Sequence, residues 1–342
     1  MDSDSVQLNV QGEIPRKAEK KGISGSTIKI IAVAAMLIDH IGAVIMARQL
    51  MAEGLGSIFT SNDAAKVMAW LMDHALLYYG YIGIRAIGRL GFPIFCFLLV
   101  EGFQKTKNVR KYVLRMGLFA LISEIPFNLA VTGKVMEFGY QNVYFTLFLG
   151  LFTLCAYEFL ARYRQTGPES RWWTLSVVLG TLFTAMYGTT YVKKLTGISS
   201  TESLLASLGV FCVIAAVCLM LYGRKRGRKR LQVAGADMTV LVLAMYLADF
   251  LNTDYAGMGV LTITAMYIFR KRKVLSVTAG CVVLSIMSIS EIPAFLTLIP
   301  IALYNGKRGL KMKYFFYAFY PMHLFLLYLA AVLLGLGDVA IF

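Results

Sequence analysis

Long apolar runs separated by short polar segments make up most of the chain after residue 27. A bilayer core takes about 20 residues of helix to cross, and a spanning segment must satisfy its own backbone hydrogen bonds. The runs lack the polar alternation of barrel strands. The pattern therefore predicts an all-α fold, a polytopic membrane helix bundle of about ten or eleven transmembrane helices. The runs begin near residues 28, 84, 112, 142, 172, 203, 237, 256, 274, 290 and 314.

The polar segments between the runs alternate in charge. Most of the 34 Lys and Arg residues fall in the N-terminal tail and in every second intervening segment, such as 105–115, 224–230 and 270–273. Because basic loops stay on the cytoplasmic side of a membrane, this alternation predicts a cytoplasmic N-terminus. It also accounts for the net charge of +15 without nucleic-acid binding, since only 15% of the residues are charged and no large soluble domain is present.

Two regions flank or interrupt the predicted bundle. Residues 1–26 are polar and of mixed charge, without the apolar core of a cleavable signal peptide, and we expect a disordered cytoplasmic tail there. Residues 27–342 then form a single transmembrane domain. The stretch 48–83 is the longest predicted external segment, and we expect an interfacial helix or a lid over an outer opening.

The positions of the cysteines and histidines in the sequence do not indicate a metal site or a disulfide framework. The five cysteines all lie in apolar runs and form no CxxC pair. The three histidines, His40, His74 and His323, are far apart in sequence. We therefore predict no metal site.

An ionisable pair, Asp39 and His40, interrupts the first apolar run. It lies eleven or twelve residues into the run, about 17 Å along a helix axis, toward the outer side of the membrane. An ionisable group in a span costs a few kcal/mol and calls for an explanation. An imidazole can accept a proton from a nucleophile, and a carboxylate can orient it. Asp39 could instead pair with Arg89, and the pair could merely bridge two helices.

Other polar residues in the runs are candidates for a shared site. Arg89 lies between Gly88 and Gly91, which suits close helix contact and the binding of a phosphate or carboxylate; it could equally be the partner of Asp39 or Glu124. The candidates for lining a polar cavity are Glu124, Asn128, Asn142, Asp249 and His323. Hydrogen bonds between helices, or a position at the interface for Asp249, are the alternative explanation.

Several stretches of the chain resemble the TraX family, named after a conjugative-plasmid protein that acetylates pilin subunits. The matching stretches, in order, are 28–42 with the phrase Leu-Ile-Asp-His-Ile-Gly, 87–103, 114–129, 142–150, 248–263 and 304–328. Residues 48–83 and 165–236 match less clearly. The resemblance implies a multi-pass membrane acyltransferase that takes an acyl group from acyl-CoA in the cytoplasm.

Carried over by resemblance, the catalytic role falls on His40 with Asp39 as its companion. Arg89 and Asn142 become candidates for binding the cosubstrate, acetyl-CoA or another acyl-CoA, or for stabilising the oxyanion. The acceptor would be an amine or hydroxyl at or beyond the outer face, on a surface glycan, lipid, peptide or pilin. Transfer could be direct or through an acyl-histidine intermediate.

Two other classes of protein explain the same residues. A secondary transporter for a small polar or anionic solute would also need intramembrane Asp, Glu, Arg and His, although no inverted repeat is visible. A non-enzymatic scaffold would need none of them for function. In every case we expect a multi-pass protein of the bacterial cytoplasmic membrane.

Overall fold

The computed structural model describes residues 22–61, 63–166, 172–197, 200–310 and 313–339. Most of the predicted tail 1–26 lies outside the described residues. The helices in chain order are α1 (Gly25–His40), α2 (Ala47–Ala52), α3 (Leu55–Phe59), α4 (Ala64–Asp73), α5 (Ala75–Gly88), α6 (Gly91–Lys105), α7 (Val109–Thr132), α8 (Val143–Thr166), α9 (Trp172–Thr196), α10 (Thr201–Arg226), α11 (Arg228–Phe250), α12 (Ala256–Ile268), α13 (Lys273–Met287), α14 (Leu298–Leu303) and α15 (Lys313–Leu333).

Eight helical segments among the described residues are long and apolar enough to cross a membrane. They are Gly25–Ala52, Ala75–Lys105, Val109–Thr132, Val143–Thr166, Trp172–Thr196, Thr201–Arg226, Arg228–Phe250 and Tyr314–Leu333. Three shorter apolar helices, Ala256–Ile268, Lys273–Met287 and Ile289–Leu303, coincide with the crowded runs predicted near 256, 274 and 290. The predicted polytopic helical bundle is confirmed.

The stretch 48–83 differs from its prediction. It contains the short helices α2, α3 and α4, and then α5 begins at Ala75, well before the predicted start near 84. The tyrosines at 78, 79 and 81 lie on the first turns of this helix. The second membrane segment is therefore longer than predicted.

The first membrane segment changes its helical type at the ionisable pair. Ser24 caps α1 by accepting a hydrogen bond from the Thr27 amide at 3.3 Å. Directly after His40 the helix continues as a π-helix over Ile41–Met46 and returns to α-helix at Ala47. Wide π turns inside α-helices are rare and concentrate at functional sites.

Two other membrane segments are broken. Between α5 and α6 the helix stops for a turn at Arg89 and Leu90, and α14 is preceded by a 3₁₀ helix over Ile289–Thr297. The two breaks face each other, because Arg89 bonds to Glu291 across them at 2.9 Å. Irregular backbone at membrane depth is tolerated where it is buried in protein or lines a cavity.

The packing arranges these segments around the ionisable pair. α1 packs against α5, α6 and α15, while α12 lies centrally and contacts α6, α8, α11 and α13. α9 and α10 pack on α11 and lie at one side of the bundle. Helix α10 is the least buried long segment, as expected for a helix that faces lipid on most of its surface.

Arg48, which the sequence suggested was external, is fully buried. Its guanidinium donates to the carbonyl oxygens of Val44 at 3.0 Å, Ala130 at 2.6 Å and Val339 at 3.1 Å. One arginine therefore ties the π segment to the end of α7 and to the chain after α15.

Gly88 permits the closest approach between α1 and α5. A Cβ atom on Gly88 would lie 2.1 Å from the Oδ1 atom of Asp39, far inside contact distance. Gly83, on the same helix, has nothing within 4 Å of the corresponding position. The glycine at 88 is thus needed for space, and the one at 83 is not.

We expect Arg48→Met to destabilise the protein by about 3 kcal/mol, because three carbonyl groups lose their charged donor, and two of these hydrogen bonds are buried. Thermal unfolding of purified protein in one detergent measures the change. Lys66→Met, at a side chain that is 72% exposed, is the matched control and should leave the unfolding temperature unchanged. Equal unfolding temperatures for the two variants would contradict the role given to Arg48.

We expect Gly88→Ala to destabilise the bundle by about 1–3 kcal/mol, since the added methyl group must displace the Asp39 side chain or separate two helices. Gly83→Ala should be neutral or slightly stabilising, because alanine favours helix over glycine. The comparison uses the same thermal unfolding measurement. A Gly88→Ala protein as stable as the Gly83→Ala protein would contradict this packing.

Candidate functional site

Two histidines from opposite ends of the chain form a direct hydrogen bond. The Nδ1 atom of His40, at the end of α1, lies 2.6 Å from the Nε2 atom of His323 on α15. The two rings lie edge to edge, with centroids 4.9 Å apart and an interplanar angle of 27°, and Tyr320 lies edge-on to both. His323 is 5% exposed. The deep histidine of the last span therefore has its partner in the first span.

Asp39 forms an ion pair with an arginine that the sequence analysis did not select. Its Oδ2 atom lies 2.5 Å from the Nη1 atom of Arg85 on α5. The predicted alternative partner, Arg89, bonds instead to Glu291. The two possible pairings of Arg89, with Asp39 or with Glu124, were wrong because the carboxylate that reaches it comes from the 3₁₀ segment, some 200 residues later in the chain.

The loop between α11 and α12 brings a further carboxylate to the same place. Asp254 accepts a hydrogen bond from the Tyr140 hydroxyl at 2.8 Å, and the ring of Tyr255 stacks on Phe92 with centroids 3.7 Å apart. The loop is strained, since Asn252, Tyr255 and Ala256 have positive φ angles of 50°, 62° and 45°. Such strain in non-glycine residues persists only where surrounding contacts impose it, and it concentrates at functional sites.

Backbone hydrogen bonds hold this strained loop in place. The Gln141 amide donates to the Asn252 carbonyl at 3.1 Å, and the Asp254 amide donates to the Gln141 carbonyl at 2.9 Å. Thr146 also donates from its hydroxyl to the Asp254 carbonyl. Asp254 and Tyr255 are therefore fixed at the site by the segment that leads into α8.

Three cavities share residues in series, and His40 lies at one of the junctions. The first cavity in the series has a volume of about 280 Å³ and lies at the end of the bundle where α1 begins. Its lining includes Lys29, Arg115 and Arg308. It shares Phe95 and Leu147 with a small middle cavity of about 50 Å³. We call these two the basic cavity and the middle cavity.

The third cavity lies beyond the ionisable pair. Its volume is about 280 Å³, and we call it the distal cavity. It shares four residues with the middle cavity, namely Asp39, His40, Asp254 and Tyr255. Arg85 and Arg89 add two guanidinium groups to its wall. His40 can therefore be reached from both the middle and the distal cavity.

Four of the predicted site residues lie apart from these cavities. Glu124 accepts a hydrogen bond from Asn142, whose amide also donates to the Ala120 carbonyl at 2.8 Å. Asn128 is 2% exposed, and its Oδ1 atom has no partner among the described residues. Asp249 is exposed and accepts hydrogen bonds from the Tyr187 hydroxyl at 2.9 Å and the Gly257 amide at 2.8 Å.

The structure thus brings together Asp39, His40, Arg89 and His323, and separates them from Glu124, Asn128, Asn142 and Asp249. It adds Arg85, Asp254, Tyr255 and Glu291, none of which the sequence analysis selected for the site. One signal for Arg85 was available, since it lies four residues before Arg89 and shares its helix face. Asp254 was visible as an acidic residue near the membrane, but nothing in its spacing connected it with His40.

Nothing in the described part of the chain groups three or more His, Cys, Asp or Glu side chains in a way that could hold a metal ion. The two imidazoles are instead bonded to each other. The groups that the site offers for chemistry are therefore two imidazoles, three carboxylates and two guanidinium groups, all supplied by the chain itself.

Known proteins resemble this chain over most of its length. The family model described as TraX protein matches residues 24–200 and 198–331. A curated relative, the "Probable fimbrial assembly protein FimC, serogroup H1" of Dichelobacter nodosus, is 27% identical over 279 residues, covering 76% of this chain and 90% of the relative. No solved structure matches the chain. The family match extends over nearly all of the described helices, including both halves of the His40–His323 pair, and the chain belongs to the TraX family.

Proposed function

We propose that this protein is a membrane-embedded acyltransferase, which moves an acetyl group from acetyl-CoA to an amine or hydroxyl acceptor on the other side of the membrane. The observation that carries the proposal is the series of three cavities with His40 at the junction between the middle and distal ones. A donor on one side and an acceptor on the other could meet at that imidazole. Membership in the TraX family, whose resemblance implied this activity, supports it further.

The basic cavity is suited to the nucleotide end of a CoA thioester. It opens where the basic loops lie, the side that the positive-inside rule assigns to the cytoplasm. Lys29, Arg115 and Arg308 offer three positive charges for phosphate groups. Tyr112 and Phe316 supply aromatic surface in the same wall.

The small size of the middle cavity favours a short acyl group. Its volume of about 50 Å³ is less than a fifth of that of either neighbouring cavity, so it is the narrowest part of the series. Phe92, Phe95 and Tyr255 form much of its wall, and the stacked rings of Phe92 and Tyr255 leave little freedom to widen it. We therefore propose acetyl rather than a long acyl chain as the transferred group.

The proposed chemistry needs one base and one group that stabilises negative charge. The His40 imidazole takes the proton from the acceptor N–H or O–H, the acceptor atom attacks the thioester carbonyl, and the C–S bond breaks. The CoA thiolate leaves and takes up a proton, so that acetylated acceptor and CoA are the products. The guanidinium groups of Arg85 and Arg89 lie in the same cavity wall and can stabilise the oxyanion. Asn142, engaged with Glu124 and Ala120, has no part in this scheme.

The distal cavity would receive the acceptor. Asp39, Asp254, Arg85, Arg89 and Tyr140 form the polar part of its wall, where a polar acceptor group would bind, and Leu50, Met51 and Leu55 belong to an apolar part. The relative from Dichelobacter nodosus is named as a fimbrial assembly protein, which makes an amine of a pilin-type subunit one candidate acceptor. A surface glycan, a lipid headgroup or another peptide amine has the same polar chemistry. The setting would be the cytoplasmic membrane of a bacterium.

We expect His40→Ala to lower acetyl transfer or slow hydrolysis of acetyl-CoA by about 100-fold or more, because the proposed base is lost. Release of CoA by protein in nanodiscs measures the rate. His74→Ala is the matched control, since His74 bonds to the Trp70 carbonyl and Glu53 away from the cavities. An unchanged rate in a folded His40→Ala protein would contradict the proposal, as would flux of a solute through sealed vesicles without any CoA release.

We expect Arg308→Gln to raise the KM for acetyl-CoA about tenfold while leaving kcat close to that of the wild type, because a phosphate contact is lost. Acetyl-pantetheine, which lacks the nucleotide, should show no such change. Arg110→Gln, an exposed substitution outside the cavity lining, is the control. An equal effect of Arg308→Gln on both thioesters would contradict the position given to the nucleotide.

A further inference from the structure

The hydrogen bonds of His323 determine which of its two ring nitrogens carries the hydrogen. Its Nδ1 atom lies 2.7 Å from the carbonyl oxygen of Phe319, one turn earlier on α15. A carbonyl can only accept a hydrogen bond, so this nitrogen carries a hydrogen. In the neutral ring the other nitrogen, Nε2, then has a free lone pair and must accept.

The same reasoning determines which ring nitrogen of His40 carries the hydrogen. Its Nδ1 atom is 2.6 Å from Nε2 of His323, and since Nε2 accepts, the Nδ1 atom of His40 must donate. The neutral His40 ring therefore has its lone pair on Nε2. That atom is the one left to face the cavities that His40 lines.

We propose that His323 is the positioning residue of the site, which fixes the tautomer and orientation of His40 so that Nε2 of His40 is the base. This inference rests on the base role proposed for His40. When Nε2 takes a proton, His40 becomes a cation whose Nδ1–H still donates to His323, so the second imidazole stabilises the charge. The hydrogen on Nδ1 of His40 stays in place throughout, and only the proton on Nε2 is passed on to the departing CoA thiolate.

The neighbouring carboxylate does not perform this task. Asp39 precedes His40 by one residue on α1, so its side chain points about 100° away from that of His40 around the helix axis. Its Oδ2 atom bonds to Arg85. In many histidine-dependent sites a carboxylate accepts the Nδ1–H. Here a neutral imidazole accepts it, which avoids burying one more negative charge in a membrane segment.

The surroundings of His323 keep its ring in place. It stacks on Phe319 with centroids 4.7 Å apart, and its Nε2 edge meets the ring of His40. Tyr320 lies edge-on at 5.7 Å. The bond from Nδ1 to the Phe319 carbonyl and the stacking on Phe319 limit rotation of the His323 ring, which maintains its hydrogen bond to His40.

Two substitutions separate positioning from simple packing. His323→Phe keeps an aromatic ring against Phe319 but removes the acceptor for His40. His323→Gln removes the ring but offers an amide oxygen that can accept the Nδ1–H of His40. A role confined to helix packing predicts that Phe is the better replacement, whereas positioning predicts that Gln is.

The kinetic test measures kcat and KM for acetyl-CoA in nanodiscs. We expect His323→Phe to lower kcat about 100-fold with the KM little changed, and His323→Gln to recover most of the loss. Unchanged thermal unfolding of both variants shows that they fold. A His323→Phe enzyme with wild-type kcat, or one that outperforms His323→Gln, would overturn the inference.

A second readout does not depend on activity. The chain contains only three histidines, so protein labelled with ¹⁵N-histidine gives three imidazoles, and His74→Ala identifies one of them. We expect His40 to carry its hydrogen on Nδ1 in the wild type and to lose that preference in His323→Phe. Hydrogen on Nε2 of His40 in the wild type would overturn the inference whatever the activity. Absence of any CoA-dependent reaction, with the tautomer as expected, would instead count against the proposed function alone.

Discussion

Charged side chains inside an apolar bundle must be paired, and the pairs then decide which helices meet. Asp39 with Arg85 joins α1 to α5, and Arg89 with Glu291 joins the break after α5 to the 3₁₀ segment. An unpaired charge in these positions costs several kcal/mol. The helical breaks, the strained loop at Asp254 and the middle and distal cavities all lie around these two bonds. The site and the architecture thus depend on the same electrostatic constraint.

This dependence explains what could be predicted from the sequence. The helical bundle follows from run length and apolar composition, which are local properties, and the structure confirms it. The position of Asp39 and His40 as an anomaly in an apolar helix was equally visible. The close packing at Gly88 also follows from its place beside Arg89. The roles assigned to these residues stay predictions.

The partners of these residues could not be predicted in the same way. His40 and His323 are separated by 283 positions, and no spacing rule connects residues so far apart. Arg48 seemed to belong to an external segment, because a lone basic residue near the end of a run is typical of one; the structure buries it against three carbonyl groups. The π segment after His40 leaves no mark in composition, because its geometry depends on helices packed around it.

The π segment also separates two tasks within a single membrane helix. A wide turn contains more residues than an α turn, so the helix that leaves it is rotated relative to the one that enters. The part before Ile41 can direct its polar face toward α5 and α15, while the part after Met46 directs Arg48 toward α7 and the chain end. Without the wide turn, a single continuous α-helix would have to present the correct side chains both to α5 and α15 and to α7 and the chain end. The segment therefore works as a fixed joint, which lets the orientation of His40 and the anchoring at Arg48 be set independently.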